Sequence, residues 1–327
     1  MRTLAGVLIA LTAGMARIPA ADPVRYLRSI ELPGVQGRID HLAFDQSAQK
    51  LFVAALGNNT VEVLDVAAGT HVRSLPGFRE PQGAASVSDL GVVAVANGQG
   101  QGLQFIAVAD GRTLRTVSLG DDTDNVRYDR AAKVLYAGYG SGAIAAVTAG
   151  DGRILGRVPL AGHPESFQLE STGPRIFVNV PSARQIAVID RVRLKIDGTW
   201  PVTAAQSNYP MALDEAAHRL FVGCRRPAEV LVYDTETGKQ IGAADVVGDT
   251  DDMFYDAKRK RLYVAGGEGF IDVLDAAQAS TISRLARVKT AEGARTSLFV
   301  AAQDRLYLAV PRRGAQRAEI RVYEVQD

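Results

Sequence analysis

The stretch GRIDHLAFD, residues 37–45, opens a hydrophobic segment with an adjacent carboxylate and imidazole, Asp40 and His41. Such groups ligate metals, act as general acids and bases, and bind polar ligands. Six later segments align with this one. The first aligned column is the position five residues before Asp45 and before its equivalent in each later segment. It reads Asp40, Gln82, Asp124, Glu165, Tyr209, Asp251 and Arg295. The second column reads His41, Gly83, Asn125, Ser166, Pro210, Asp252 and Thr296. Five carboxylates in two aligned columns favour a shared polar site.

We expect this site to bind a small polar or anionic ligand. Its predicted contacts are Asp40, His41, Asn125, Glu165, Asp252 and Arg295. A divalent metal ion is the one cofactor that this set suits, with Asp40, His41, Glu165 and Asp252 as candidate ligands. A water-filled channel mouth lined by solvated polar groups explains the same columns without any ligand.

An enzyme is the competing class. A metal-assisted lactone hydrolase or isomerase would use a carboxylate-bound ion to polarise a carbonyl and a neighbouring side chain as base. No GxSxG, HExxH or CxxC motif occurs in the chain. We therefore favour a binding or scaffold protein over a catalyst, and no catalytic residue is assigned.

The columns belong to a repeat of short apolar strands. Its clearest marker is the second strand of each repeat, which reads LFVA, VAVA, LYAG, IFVN, LFVG, LYVA and LYLA. These segments recur at steps of 42, 42, 41, 44, 42 and 44 residues. A third strand follows each marker, and five of the seven third strands close on Asp. Apolar residues alternate with a period of two, and hairpin signals separate the strands. Four strands in about 42 residues predict one blade of a β-propeller.

Seven repeats predict an all-β, seven-bladed propeller with four-stranded antiparallel blades. Only six third strands are followed by a fourth, because the seventh lies next to Asp327. The missing copy is YLRSIELPG, Tyr26–Gly34, near the N-terminus. An N-terminal strand that completes the last blade closes the ring and removes open sheet edges.

The loops between second and third strands carry arginines. They include Arg184, Arg225, Arg226, Arg312 and Arg313. We interpret these residues as a rim for a phosphate, a carboxylate or single-stranded nucleic acid.

The repeats resemble the YVTN-repeat, YncE-like family of exported β-propellers. The resemblance rests on phrases such as LFVAALGNNTVEVLDV, RIFVNVP and KRKRLYVAGGEGFIDV, and it spans residues 25–327. It implies a secreted or periplasmic seven-bladed propeller, and most members of the family carry no assigned reaction.

The overall charge argues against polyanion binding. The chain has 37 Lys and Arg against 36 Asp and Glu, a net charge of +1, without a long run of one sign. Nucleic acid is thus a disfavoured partner, whereas a small polar or anionic ligand or a protein of the cell envelope is expected.

The N-terminal residues have the composition of an export signal. Arg2 precedes an apolar run over residues 4–13 and then small residues up to Asp22, which predicts a signal peptide over 1–21. One propeller domain over 22–327 follows, without a membrane span and placed in the periplasm or outside the cell. We expect a monomer.

Cys224 is the only cysteine, so core burial rather than a disulfide stabilises the fold.

Overall fold

A computed structural model of the protein describes residues 22–100, 102–120, 122–278 and 280–327. The predicted signal peptide, residues 1–21, lies outside the described residues, and export stays a prediction. The described residues form seven four-stranded antiparallel sheets that are arranged as the blades of a propeller. Within this part of the chain, no helix is long and apolar enough to cross a membrane.

Each of blades 1–6 consists of four strands that are consecutive in the sequence. The innermost strands of all seven blades are β2 (Leu42–Asp45), β6 (Pro81–Val87), β10 (Thr123–Asp129), β14 (Phe167–Leu169), β18 (Gln206–Asp214), β22 (Thr250–Asp256) and β26 (Ser297–Val300). The second strands are β3 (Lys50–Ala55), β7 (Val92–Asn97), β11 (Val134–Tyr139), β15 (Arg175–Val180), β19 (Arg219–Arg226), β23 (Arg261–Gly266) and β27 (Arg305–Val310).

The third and fourth strands lie progressively farther from the centre. The third strands are β4 (Thr60–Asp65), β8 (Gly102–Ala107), β12 (Ala143–Thr148), β16 (Gln185–Asp190), β20 (Ala228–Asp234), β24 (Phe270–Asp275) and β28 (Glu319–Val325). The outermost are β5 (Thr70–Leu75), β9 (Thr113–Val117), β13 (Ile154–Pro159), β17 (Lys195–Pro201), β21 (Gln240–Asp245), β25 (Ser283–Lys289) and, in blade 7, β1 (Val24–Glu31). Short 3₁₀ turns span Leu56–Asn58, Ser88–Leu90, Pro181–Ala183, Glu215–Ala217 and Ala301–Gln303.

The ring is closed by the N-terminal strand. Strand β1 pairs antiparallel with β28, from Val24 opposite Val325 to Glu31 opposite Glu319. The prediction of a seven-bladed propeller completed by this strand is confirmed. The two ends of the chain therefore share one sheet, and the fourth strand of blade 7 comes from the start of the described chain.

The hydrophobic core is divided into layers between neighbouring blades. Phe52 of blade 1 packs in one layer with Val95 and Ile106 of blade 2, and all three are fully buried. Six further layers of this kind follow around the ring. Alternation along each strand sends successive side chains into opposite layers, so each blade is buried by both of its neighbours.

Acidic residues at the strand ends stabilise the turns that follow them. Asp65 Oδ1 accepts a hydrogen bond from the Ala68 amide at 2.8 Å, and Asp256 Oδ1 accepts one from the Lys258 amide at 3.0 Å. Gly69 then adopts a φ of 70°, which glycine tolerates best. Asp65 closes the third strand of blade 1 and Asp256 closes the innermost strand of blade 6, so aspartates stabilise turns at both places.

Asp272 is a fully buried charge in blade 6 that ties strand β24 to strand β25 and to the loop between β21 and β22. It accepts hydrogen bonds at 2.7 Å from Arg287 Nε and Nη2 and at 2.8 Å from the Val247 amide. In Asp272→Ala the amide and the guanidinium lose their acceptor, so we expect unfolding to become easier by about 2 kcal/mol or more. Urea denaturation measures the change. Glu31→Ala, which removes only the exposed pair with Arg317, is the control and should cost far less. Equal losses would contradict this account.

Candidate functional site

The channel mouth is the end of the central channel where the innermost strands begin. Backbone hydrogen bonds between blades align the residues there. The His41 amide donates to Gln82 O of blade 2 at 3.2 Å, and the Asp252 amide donates to Arg295 O of blade 7 at 3.2 Å. The two polar columns therefore lie side by side around the axis. A Cβ atom at Gly83 would lie 2.1 Å from Asp124 O, so the close approach of blades 2 and 3 requires glycine there.

Asp40 is a fully buried carboxylate at this mouth. Arg38 Nη2 lies 2.8 Å from Asp40 Oδ2 but is misaligned, and neither Asp40 oxygen has a hydrogen-bond partner among the described residues. Burial raises the pKa of Asp40 to about 6, although the charges of His41 and Arg38 oppose the rise. Buried oxygens without partners are able to accept hydrogen bonds from a ligand or water.

His41 lies among three carboxylates. Its Nδ1 is 3.3 Å from Asp252, and its Nε2 is 3.7 Å from Asp40 and 4.0 Å from Asp124. Burial disfavours the imidazolium, but these carboxylates outweigh it and raise the pKa of His41 to about 10. His41 is therefore a protonated cation at neutral pH, and it holds blades 1, 3 and 6 together by charge.

A second group of ion pairs joins blades 5, 6 and 7. Arg225 Nη2 donates to Asp251 Oδ1 at 2.7 Å, and its guanidinium lies over the Tyr209 ring at 3.9 Å. Arg295 Nε lies 3.1 Å from Asp251 Oδ2, and Arg295 Nη1 donates to Asp249 Oδ1 at 2.9 Å. Burial still raises the pKa of Asp251 despite both arginines.

Glu165 is the carboxylate of the mouth that lacks a cation of its own. No hydrogen bond or ion pair to its side chain occurs among the described residues. Burial, together with the charges of Asp124 and Asp251, raises the pKa of Glu165 to about 8. At neutral pH Glu165 is consequently protonated for the most part, and it can donate a hydrogen bond to a ligand.

His163 lies next to Glu165 in the sequence. Its Nδ1 donates to Gly140 O at 2.7 Å, and its Nε2 lies 3.9 Å from Asp124 Oδ2. Burial opposes the imidazolium, but the bonds to Asp124 and Gly140 raise the pKa of His163 to about 9. We call Arg38, Asp40, His41, Asp124, His163, Glu165, Arg225, Asp251, Asp252 and Arg295 the mouth network.

The structure places five of the six predicted contacts in this network. Asn125 is the exception: it is 2% exposed, its Oδ1 has no partner among the described residues, and its side chain carries no charge. The prediction left out Arg38, Asp124, His163, Arg225 and Asp251 as members of the same site. Asp124 and Asp251 stood in the first column, and Arg38 stood two residues before Asp40, so the repeat alignment itself contained the signal.

The predicted arginine rim divides into residues with different partners. Arg225 turns into the mouth network, whereas Arg184 donates to Thr203 O at 3.2 Å within its own blade. Arg226 is exposed, and Arg312 and Arg313 line a separate recess beside Arg38 and Arg295. The five residues therefore do not form one continuous rim.

The metal candidates do not converge on one point. Within residues 22–327, apart from positions 101, 121 and 279, no group of three or more His, Cys, Asp or Glu side chains is arranged to hold a metal ion. Asp40 is paired with Arg38, and Asp252 is paired with His41. Arg38 and His41 therefore lie next to these two carboxylates, in positions that a bound metal ion would need.

Comparison with solved structures supports the fold. A chain in the crystal structure of a mitotic checkpoint complex superimposes with a TM-score of 0.79 at 15% identity, over 100% of this chain and 99% of that chain. Hydrazine synthase of Kuenenia stuttgartiensis superimposes with a TM-score of 0.73 at 15% identity, over 85% of this chain and 95% of that chain. No protein-family model matches the chain, and no curated protein matches its sequence. The chain is a seven-bladed β-propeller, and this fold by itself assigns no function.

Glu165 makes the stability of the protein depend on pH. Its pKa is raised from 4.5 to about 8 on folding, so the folded state binds the proton more tightly, and stability falls as pH rises through that window. We expect Glu165→Gln to remove this decline and to be more stable than the parent protein at pH 8–9. Thermal unfolding of both proteins from pH 5 to pH 10 measures it. Asp40, whose pKa is also raised, keeps a decline up to about pH 6 in the variant, and His41 and His163 lose stabilising charge above pH 6.5. The variant should therefore show a shallower decline than the parent protein between pH 5 and pH 8, and an identical profile would refute the assignment.

Asp252 sets the protonation of His41. In Asp252→Asn the amide oxygen can still accept the hydrogen bond from the Ser297 amide, but the charge next to the imidazole is gone. We expect the pKa of His41 to fall by about 1 unit or more. NMR titration measures it, with the signal assigned by its loss in His41→Gln. Asp249→Asn, which removes a carboxylate bonded to Arg295, should leave the His41 titration unchanged. An unchanged titration in Asp252→Asn would show that Asp252 does not control His41.

Proposed function

We propose that this propeller is an interaction scaffold that binds a small polar ligand with an anionic group at its channel mouth. The observation that carries the proposal is a recess of about 320 Å³ beside the mouth, lined by Arg38, Arg295, Arg312 and Arg313. We call it the arginine recess. Four guanidinium groups around one volume favour an oxyanion, because each can donate two parallel hydrogen bonds to a carboxylate or phosphate.

Two of these arginines are free to bind. Arg312 and Arg313 are exposed, and neither forms an ion pair with a carboxylate among the described residues. Their loop is held in place: the Gln316 amide donates to Arg313 O at 2.8 Å, and Gln316 Nε2 donates to Pro311 O at 2.6 Å. A fixed loop that presents unpaired arginines loses little entropy on binding an anion.

The other two arginines connect the recess to the mouth network. Arg38 contacts the buried Asp40, and Arg295 contacts Asp249 and Asp251. A ligand whose anionic group occupies the recess therefore reaches the mouth, where Asp40 offers unpartnered acceptor oxygens and the protonated Glu165 offers a donor. This arrangement suits a small acid that also carries hydroxyl, carbonyl or amine groups.

The two alternatives from the sequence are less well supported. A metal-dependent hydrolase needs converging oxygen and imidazole ligands, whereas no such group occurs among the described residues, and Asp40 and Asp252 are paired with Arg38 and His41 instead. Single-stranded nucleic acid needs a continuous basic groove with stacking aromatic rings, whereas the loop arginines point to different partners. Membership of the YVTN-repeat, YncE-like family remains part of the proposal and rests on the repeated sequence phrases.

Inorganic phosphate and citrate are the probes for the arginine recess. We expect both anions at millimolar concentration to raise the thermal midpoint of the protein, compared with sodium chloride at the same ionic strength. Arg312→Ala combined with Arg313→Ala should abolish the rise, because it removes the two unpaired guanidinium groups.

Arg317→Ala is the matched control. Arg317 lies in the same loop, but it is paired with Glu31 at 2.9 Å and does not line the recess. The rise should persist in this variant. A rise of equal size in the double variant, or none in the parent protein, would count against anion binding at the recess.

A further inference from the structure

A second cavity lies on the channel axis, beyond His41 and among the residues that follow it on the innermost strands. Its volume is about 330 Å³, and six of the seven blades contribute to its lining. We call it the inner cavity. His41 and Asp252 belong both to its lining and to the mouth network, so this pair separates the two sites.

The walls of the inner cavity are largely apolar. Phe44, Phe254 and Leu298 line it, together with Ala43 and Ala85. Phe44, Phe254 and Leu298 are only half-buried, so part of each faces open space rather than packed protein. Apolar and aromatic walls with few polar groups are typical of small-molecule sites.

Arg127 adds a charge to these walls, beside the His41–Asp252 pair and the polar side chains of Ser86, Gln168 and Ser297. The aligned positions in the other blades hold Ala43, Ala85, Gln168, Ala212, Phe254 and Leu298, so a cation is unique to blade 3. Arg127 donates to Val126 O at 3.0 Å and more weakly to Ser166 Oγ at 3.4 Å, and its guanidinium lies 5.5 Å from the Phe167 ring. Burial lowers the pKa of Arg127.

Arg127 has no anionic partner. Its guanidinium forms no ion pair with any carboxylate among the described residues. Asp252, the carboxylate that shares the cavity, is already occupied by His41 at 3.3 Å and by the Ser297 amide at 2.8 Å. A partly buried guanidinium without an ion pair is costly, because the more distant charges of Asp252 and Asp124 offset its desolvation only in part. An anion in the cavity would repay it.

We propose that the inner cavity binds a small monocarboxylate with an aromatic or branched apolar body, and that Arg127 binds the carboxylate. The volume is about twice that of a cavity that accommodates one benzene ring, so a ring with a short acid side chain fits. His41 and Asp252 balance each other, so the charge of Arg127 sets that of the ligand at −1, and the apolar walls contact the ring. This site is distinct from the arginine recess and does not rest on the function proposed for it.

3-Phenylpropionate is the probe for the inner cavity. We expect the parent protein to bind it, as measured by titration calorimetry and by a rise in the thermal midpoint. Propionate has the charge without the ring, and 3-phenylpropan-1-ol has the ring without the charge. Each should bind at least about 10-fold more weakly, since each loses one of the two interactions.

Two variants separate charge from shape. Arg127→Met should weaken 3-phenylpropionate at least about 10-fold without lowering the thermal midpoint, because it replaces an unpaired buried charge by an apolar chain of similar length. Ala85→Leu should block binding by filling the cavity, and it introduces the residue that blade 7 already has at the aligned position, Leu298.

Variants of the arginine recess provide the control for location. Arg312→Ala with Arg313→Ala should bind 3-phenylpropionate as the parent protein does, whatever happens to phosphate binding. The proposal is overturned if the parent protein does not bind 3-phenylpropionate, if the neutral alcohol binds equally well, or if Arg127→Met and Ala85→Leu both retain full affinity. A loss of stability in Arg127→Met would overturn the claim that its charge lacks a partner.

Discussion

The whole architecture depends on one constraint: a blade buries its apolar faces only against the two blades beside it. Strand alternation sends side chains into both neighbouring layers, and a blade at the end of an open row would leave one face in water. Pairing of β1 with β28 removes that end by completing blade 7, so the layer between blades 7 and 1 is packed like the other layers. Everything at the centre of the molecule follows from this closure.

Closure also concentrates charge. The residues that open the innermost strands come from points of the sequence about 42 residues apart, yet the ring brings them around one axis. Side chains at seven positions in that small volume could not be stable if they all carried charge of the same sign. The structure solves this by alternating charges from different blades, with His41 between Asp252, Asp40 and Asp124, and Asp251 between Arg225 and Arg295. These ion pairs connect the blades at the axis.

The exceptions to this balance are informative because each has a cost. Asp40 keeps buried oxygens without hydrogen-bond donors, Glu165 stays protonated because it lacks a cation, and Arg127 lines a cavity without forming an ion pair among the described residues. The first two lie on the mouth side of His41, and the third lies on the inner side. A ligand at either place would supply the missing partner, which is why the charges that lack partners indicate binding more clearly than the paired ones do.

The sequence by itself determined the strands, their grouping into seven blades, the closing strand and the two polar columns, because these depend on local alternation, turn residues and a constant repeat length. It also predicted that Asp40, His41, Asn125, Glu165, Asp252 and Arg295 lie together at the channel mouth, since columns in a closed ring must meet at the axis. Only the tertiary structure decided which charges pair, that Arg312 and Arg313 join Arg38 and Arg295 while Arg184 turns away, and that Arg127 faces a cavity. Those outcomes depend on side-chain conformations and on differences of a few ångströms between blades, which a repeat pattern read along one chain does not contain.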